Sequence, residues 1–303
     1  ARSRPRSPLD QVPAGGTTTG GDHPDPFRLI AGDRAWVYST NHASMHVPVG
    51  EVSDRGVVGP EHDALPELPS WSTPNHSYTW APSVLQVPGG YVMYYAALDE
   101  ASGHECLSVA TATEPAGPFT DRSTEPLICP PRGTGAIDAS PVAAGRTLWL
   151  VWTQRDDGGR VGSIWSQRLA DDGRTLVAGP SQLLVADRPW EEGVVEAPSM
   201  VRISGRWYLA YAGSHWSTGR YATGLAECTS PSGPCTKLGH DPQLDSGDGD
   251  LGPGGTELTV DRHGTLWATY HAWAGDGRVW AQGGVRSVHI RPARITDGVL
   301  RLG

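Results

Sequence analysis

Short apolar runs, each opened by a polar turn, are the dominant pattern of this chain. Five of them are aromatic and β-branched: "AWVYST" (35–40), "YVMYYAA" (91–97), "LWLVWTQ" (148–154), "RWYLAYAG" (206–213) and "LWATYHAW" (266–273). Each follows a glycine-containing turn, from "AGDR" before the first to "RHGT" before the last, which predicts a β-strand in every case. Helical periodicity is nearly absent. The best helical candidate is "PSQLLVADRPW" (180–190), and its prolines cut it short.

The aromatic markers Trp36, Tyr91, Trp149, Trp207 and Trp267 recur at intervals of 55, 58, 58 and 60 residues. That interval suits one four-stranded propeller blade with its loops, and five copies predict an all-β, five-bladed β-propeller. A Greek-key sandwich also has many short strands but does not explain a regular interval. The propeller is expected to occupy residues 21–303, preceded over 1–20 by a leader rich in Pro, Gly, Ser and Thr. This leader is read as what remains after signal-peptide cleavage, so the protein is expected to be secreted.

Eleven residues before each marker stand Asp25, Trp80, Asp138, Glu196 and Thr256, in "HPDPF", "TWAPSV", "IDASPV", "VEAPSM" and "GGTELTV". In a propeller, equivalent positions on the first strands of successive blades gather at one mouth of the central channel. Three carboxylates are therefore expected to meet there. A single Asp or Glu before proline is ordinarily a turn former. Three at the heads of apolar strands must instead push one another's pKa values apart. Such a set suits glycoside hydrolysis, which needs one protonated carboxylic acid and one carboxylate acting as base or nucleophile.

Those motifs, with "GPGG" and "LWATYHAW" near the C-terminus, resemble the blade motifs of glycoside hydrolase family 43 from about residue 21 onward. The resemblance implies an inverting hydrolase with Asp25 as general base, Glu196 as general acid and Asp138 as pKa modulator. It implies arabinofuranosides, arabinans or xylosides as substrates, with arabinofuranosyl cleavage preferred here and β-xyloside or β-galactan cleavage next. Related sucrose and fructan hydrolases carry an "NDPNG" signature that this chain lacks. A carbohydrate-binding propeller without catalysis would not need three carboxylates. Many family members carry histidine after "GPG", where this chain has Gly255, and hold calcium on the axis. Here His271 is the residue placed to contribute to such an ion, and no other cofactor is expected.

The sugar contacts expected from loops and strand starts are His23, Trp71, His76, Trp80, Trp216 and Arg286, with Arg286 read as opening the last strand. Tyr78, His215 and Arg220 lie beside them. Trp149 and Trp207, within strands, are assigned to packing. Aromatic surfaces suit the C–H face of a sugar ring. The net charge of −9 and pI near 5.6 argue against nucleic acid or an anionic membrane as partner, and no apolar run is long enough to span a bilayer. A carbohydrate is the expected partner of a monomer. Cys228 and Cys235 bracket a Pro/Gly turn that suits a disulfide, leaving Cys106 and Cys129 as the other pair, and no ligand spacing supports zinc instead.

Overall fold

The computed structural model describes residues 21–53, 56–75, 78–130, 135–155, 161–247 and 249–303. Five antiparallel sheets form a five-bladed β-propeller. Blade one contains β1 (Phe27–Ala31), β2 (Arg34–Tyr38), β3 (Pro48–Glu51) and β4 (His62–Asp63). Blade two has three strands, β5 (Thr79–Val87), β6 (Gly90–Leu98) and β7 (Glu105–Ala112). Blade three runs through β8 (Ala136–Ala144), β9 (Thr147–Arg155), β10 (Val161–Leu169) and β11 (Leu176–Val185). Blade four holds β12 (Val195–Ile203), β13 (Arg206–Gly213), β14 (Ala222–Cys228) and β15 (Cys235–Leu238). Blade five ends the chain with β16 (Leu251–Val260), β17 (Leu266–Trp273), β18 (Arg286–Thr296) and β19 (Val299–Leu302).

The five aromatic runs are the second strands β2, β6, β9, β13 and β17, where alternating side chains pack against neighbouring blades. Trp207 is buried as expected, and half-buried Trp149 packs on the same core. The segment read as a weak helix is strand β11, followed by a single 3-10 turn at Pro189–Glu191. Its prolines forbid a helix interior, while β10 supplies a partner edge. Arg286 opens β18, the third strand of blade five, because the chain turns once more into β19.

All four cysteines are paired, Cys106 with Cys129 and Cys228 with Cys235. The ring closes where blade one meets blade five. The Arg28 guanidinium of blade one lies 4.7 Å over the Trp267 ring of blade five, and Asp22 takes a two-pronged contact from Arg286 at 3.0 and 2.6 Å. Closure thus falls beside the channel mouth.

The offset of eleven residues is not one structural phase. First and second strands join through two-residue turns in blades one to four, as in the pairs Ala31–Arg34 and Val87–Gly90, but through a five-residue turn between Val260 and Leu266. Trp36 and Trp149 are also the third residues of their strands, whereas Tyr91, Trp207 and Trp267 are the second. The equivalent residues are instead Asp25, Ala81, Asp138, Ala197 and Gly255, all in the left-handed region with φ between 45° and 59°. In blades two to five a bulge brackets this residue, as in the register shift between Glu196 and Ser199. Trp80 and Glu196 stand one place before the left-handed residue, and Thr256 one place after. Bulges of this kind re-aim side chains, so carboxylates from two successive backbone positions reach one cavity.

Candidate active site

A cavity of about 330 Å³ opens at this mouth. Asp25, Asp138 and Glu196 all line it, joined by Trp80, Trp216 and Arg286 from the expected contacts. Trp71 is not among its lining residues: its indole packs on the core of blades one and two and donates to Ser123 Oγ at 2.9 Å. His23 is buried beneath the rim, 3.3 Å from Glu61, and burial first, then the neighbouring His42, lowers its pKa to about 4. His76 lies outside the described residues.

Each carboxylate is held differently. Asp138 Oδ2 accepts the Ala197 N–H at 2.9 Å and the Thr153 hydroxyl at 3.2 Å. It therefore grips the peptide next to Glu196. Asp25 Oδ2 accepts the Thr40 hydroxyl at 2.8 Å, and Thr40 Oγ1 in turn accepts the Ala81 N–H at 2.8 Å. The Asp25 N–H donates to His271 Nδ1 at 3.0 Å. Glu196 Oε1 accepts the Tyr221 hydroxyl at 2.6 Å. With Oε1 so engaged, a proton on Glu196 belongs on Oε2.

Burial is the main cause that raises all three pKa values, and the carboxylates reinforce it in one another. Glu196 is pushed up to about 8, with Asp138 the next cause after burial. Asp138 rises to about 7, its hydrogen bonds and Arg155 opposing the rise. Asp25 is also raised by burial, but Arg286 is the largest influence in the opposite direction. The set can thus keep a proton on Glu196, while Arg286 opposes the rise at Asp25.

Glycines make the supporting layer possible. Tyr221 is stacked on His271, with centroids 5.6 Å apart and planes 9° apart, and a Cβ on Gly254 would stand 2.2 Å from the tyrosine ring. Gly255 has φ 59°, and a Cβ there would meet His271 Nδ1 at 2.9 Å and Asp25 Oδ1 at 3.3 Å. With His271 present, position 255 has no room for the histidine found in many family members.

His271 is buried, and its pKa is held well below 6.5, chiefly by burial. Since Nδ1 accepts the Asp25 N–H, the neutral ring carries its proton on Nε2, which is a donor and not a metal ligand. Calcium takes six to eight oxygen ligands. Among the described residues the one grouping of three possible donors, Asp99 with Cys106 and Cys129, has both sulfurs in a disulfide. Among the described residues no grouping of three carboxylate, imidazole or thiol donors forms around His271, whose Nδ1 holds the Asp25 backbone.

Sequence reasoning missed Asp22, Thr40, Arg155, Tyr221 and Trp280. Arg155 had a signal, as a cation ending the apolar run of β9; it pairs with Glu105 at 3.2 Å and lies 5.6 Å over Trp80. Tyr221 and Trp280 lie outside the aromatic runs that were aligned, so the repeat could not mark them.

The sequence pattern described as Glycosyl hydrolases family 43 matches residues 18–300. No curated protein matches the chain. A crystal structure of a thermostable family-43 glycoside hydrolase is 25% identical, with TM-score 0.80, over 94% of this chain and 95% of that one. An endo-1,4-beta-xylanase from Bacteroides thetaiotaomicron is also 25% identical, with TM-score 0.75, over 95% and 97%. An alpha-L-arabinofuranosidase from Lactobacillus brevis, at 20% identity and TM-score 0.75 over 95% and 96%, shares the fold.

Proposed function

Because the chain belongs to glycosyl hydrolases family 43, whose members are inverting glycosidases, we propose that it cleaves arabinofuranosyl linkages in polysaccharides or oligosaccharides. Asp25 acts as base toward water, Glu196 as acid toward the leaving oxygen, and Asp138 keeps the acid protonated. The observation that carries the reading is the unequal support of three carboxylates in one cavity: among the described residues, two donors on Asp138 and one, Tyr221, on Glu196. The proton on Glu196 Oε2 passes to the glycosidic oxygen as the bond to the anomeric carbon breaks. Water attacks the opposite face and gives up its proton to Asp25, so the product has inverted configuration. No cofactor takes part. The two disulfides support action outside the cell, where thiols are oxidised.

The arabinofuranosyl preference rests on the resemblance carried by the sequence motifs. Xylan cleavage is the second reading, favoured by the 25% identity to the endo-xylanase. Incubation with arabinan, arabinoxylan and galactan, followed by identification of the released sugars, decides between them. Release of arabinose or arabino-oligosaccharides is expected; xylose or xylo-oligosaccharides alone would replace the first reading with the second.

A further inference from the structure

Trp216 and Trp280 are 38% and 54% exposed, although large aromatics are ordinarily buried. Both line the cavity that holds the carboxylates. Their rings meet edge to face, with centroids 5.3 Å apart and planes at 68°. Trp216 follows β13, the partner of the strand that carries Glu196, while Trp280 stands on the connection between β17 and β18. The pair therefore marks the rim over blades four and five, next to the Arg286 that acts on Asp25.

The platform is built before any ligand arrives. The Arg286 guanidinium lies 4.8 Å over Trp216 and is itself clamped by Asp22. Trp280 opens a 3-10 turn in which the Gly283 N–H donates to the Trp280 carbonyl at 2.9 Å and the Val279 N–H to Gln282 Oε1 at 3.1 Å. An aromatic face held in place binds a sugar without the cost of ordering a loop.

We propose that Trp216 and Trp280 form a second sugar-binding subsite, which takes a ring next to the one whose bond is cleaved. This rests on the glycosidase reading above and narrows it to chains of two or more sugars. A substrate with a single sugar ring gains nothing from the pair.

The test uses Glu196→Gln, which slows turnover, titrated with oligosaccharides prepared from arabinan, arabinoxylan and galactan while tryptophan fluorescence is followed. Binding is expected to weaken roughly three- to tenfold when Trp280→Ala is added, and Trp280→Phe should restore most of it. In the active protein, Trp280→Ala should lower the kcat/KM ratio of arabinotriose to methyl α-L-arabinofuranoside, and of xylotriose to methyl β-D-xyloside, by a similar factor. Unchanged binding and ratios, no binding of any oligosaccharide, or a Phe variant as weak as Ala would overturn the subsite. Binding that depends on Trp280 in a protein that cleaves none of these substrates would overturn the glycosidase reading and leave the subsite standing.

Discussion

Two rings of five residues lie on or just before the first strands, two positions apart. The upper ring is Asp25, Ala81, Asp138, Ala197 and Gly255; the lower is Phe27, Ser83, Ser140, Ser199 and Glu257. Both contain carboxyls whose pKa is raised by burial, and Glu257 in the lower ring reaches about 8, as Glu196 does at the mouth. Their surroundings differ. Glu257 stands in a channel of about 40 Å³, with Ser140 and Ser199 as hydroxyl partners and no second carboxylate among the causes of its shift. The upper carboxylates face a cavity of about 330 Å³, act on one another and have two arginines nearby. A raised pKa alone therefore does not mark a catalytic group; access to a substrate and a charged neighbour are also needed.

The largest contrast should come from exchanging each ring's carboxyls for amides. Asp25→Asn should lower turnover at least about 10³-fold for every substrate, since the amide cannot take the proton from water. Its thermal melt should stay near that of the parent. Loss of folding in place of loss of rate would return Asp25 to a structural part.

Glu196→Gln should cost on the order of 10²-fold or more on natural linkages and much less on aryl glycosides whose leaving group needs no proton. Equal losses on both substrates would deny it the role of acid.

Asp138→Asn sharpens the comparison through pH. The acid works only while protonated, so activity should fall as pH rises through about 8. Removing the charge of Asp138 takes away a cause that raises the Glu196 pKa, so the alkaline limb should move to lower pH. Tyr221→Phe should move it the other way, because the tyrosine hydroxyl stabilises the ionised acid. It should also lower kcat about tenfold, since the hydrogen bond is wanted once the proton has left. A kcat/KM profile identical to the parent in either variant would remove that residue from control of the acid.

The smallest effect on rate should belong to the lower ring. Glu257→Gln should leave kcat within about twofold but change how stability depends on pH. Folded Glu257 keeps its proton to about pH 8, whereas an unfolded glutamate releases it near 4.5, so the folded state binds more protons between these values and stability falls as pH rises through that window. The amide removes this loss. The variant's melting temperature should exceed the parent's at pH 9 by more than at pH 5, and a constant difference would show that Glu257 does not titrate in the folded protein.

Much of the architecture was legible in the chain. The five aromatic second strands fall where the apolar runs predicted, because a strand buried between neighbouring blades needs β-branched and aromatic side chains wherever it lies. The three carboxylates were legible because charge at the head of an apolar strand is costly. Their phase was not: a five-residue turn in blade five and one-residue differences in strand starts shift the marker against the bulge. Trp71 shows the same limit. Its neighbours in sequence suggested a loop contact, while Ser123, 52 residues away, supplies its partner.

Sequence alone thus determined the blade number, the second strands and the three carboxyls that meet in one cavity, since these depend on local pattern and on the cost of burying charge. Tertiary structure decided that Tyr221 bonds to Glu196, that Arg286 stands between Asp22 and Trp216, and that Trp280 reaches the rim. The partners are 25 residues apart in the first case and 264 in the link from Asp22 to Arg286. No local pattern encodes contacts of that span: the first arises when the strands of blade four pair, and the second only when the ring closes and brings blade five against blade one.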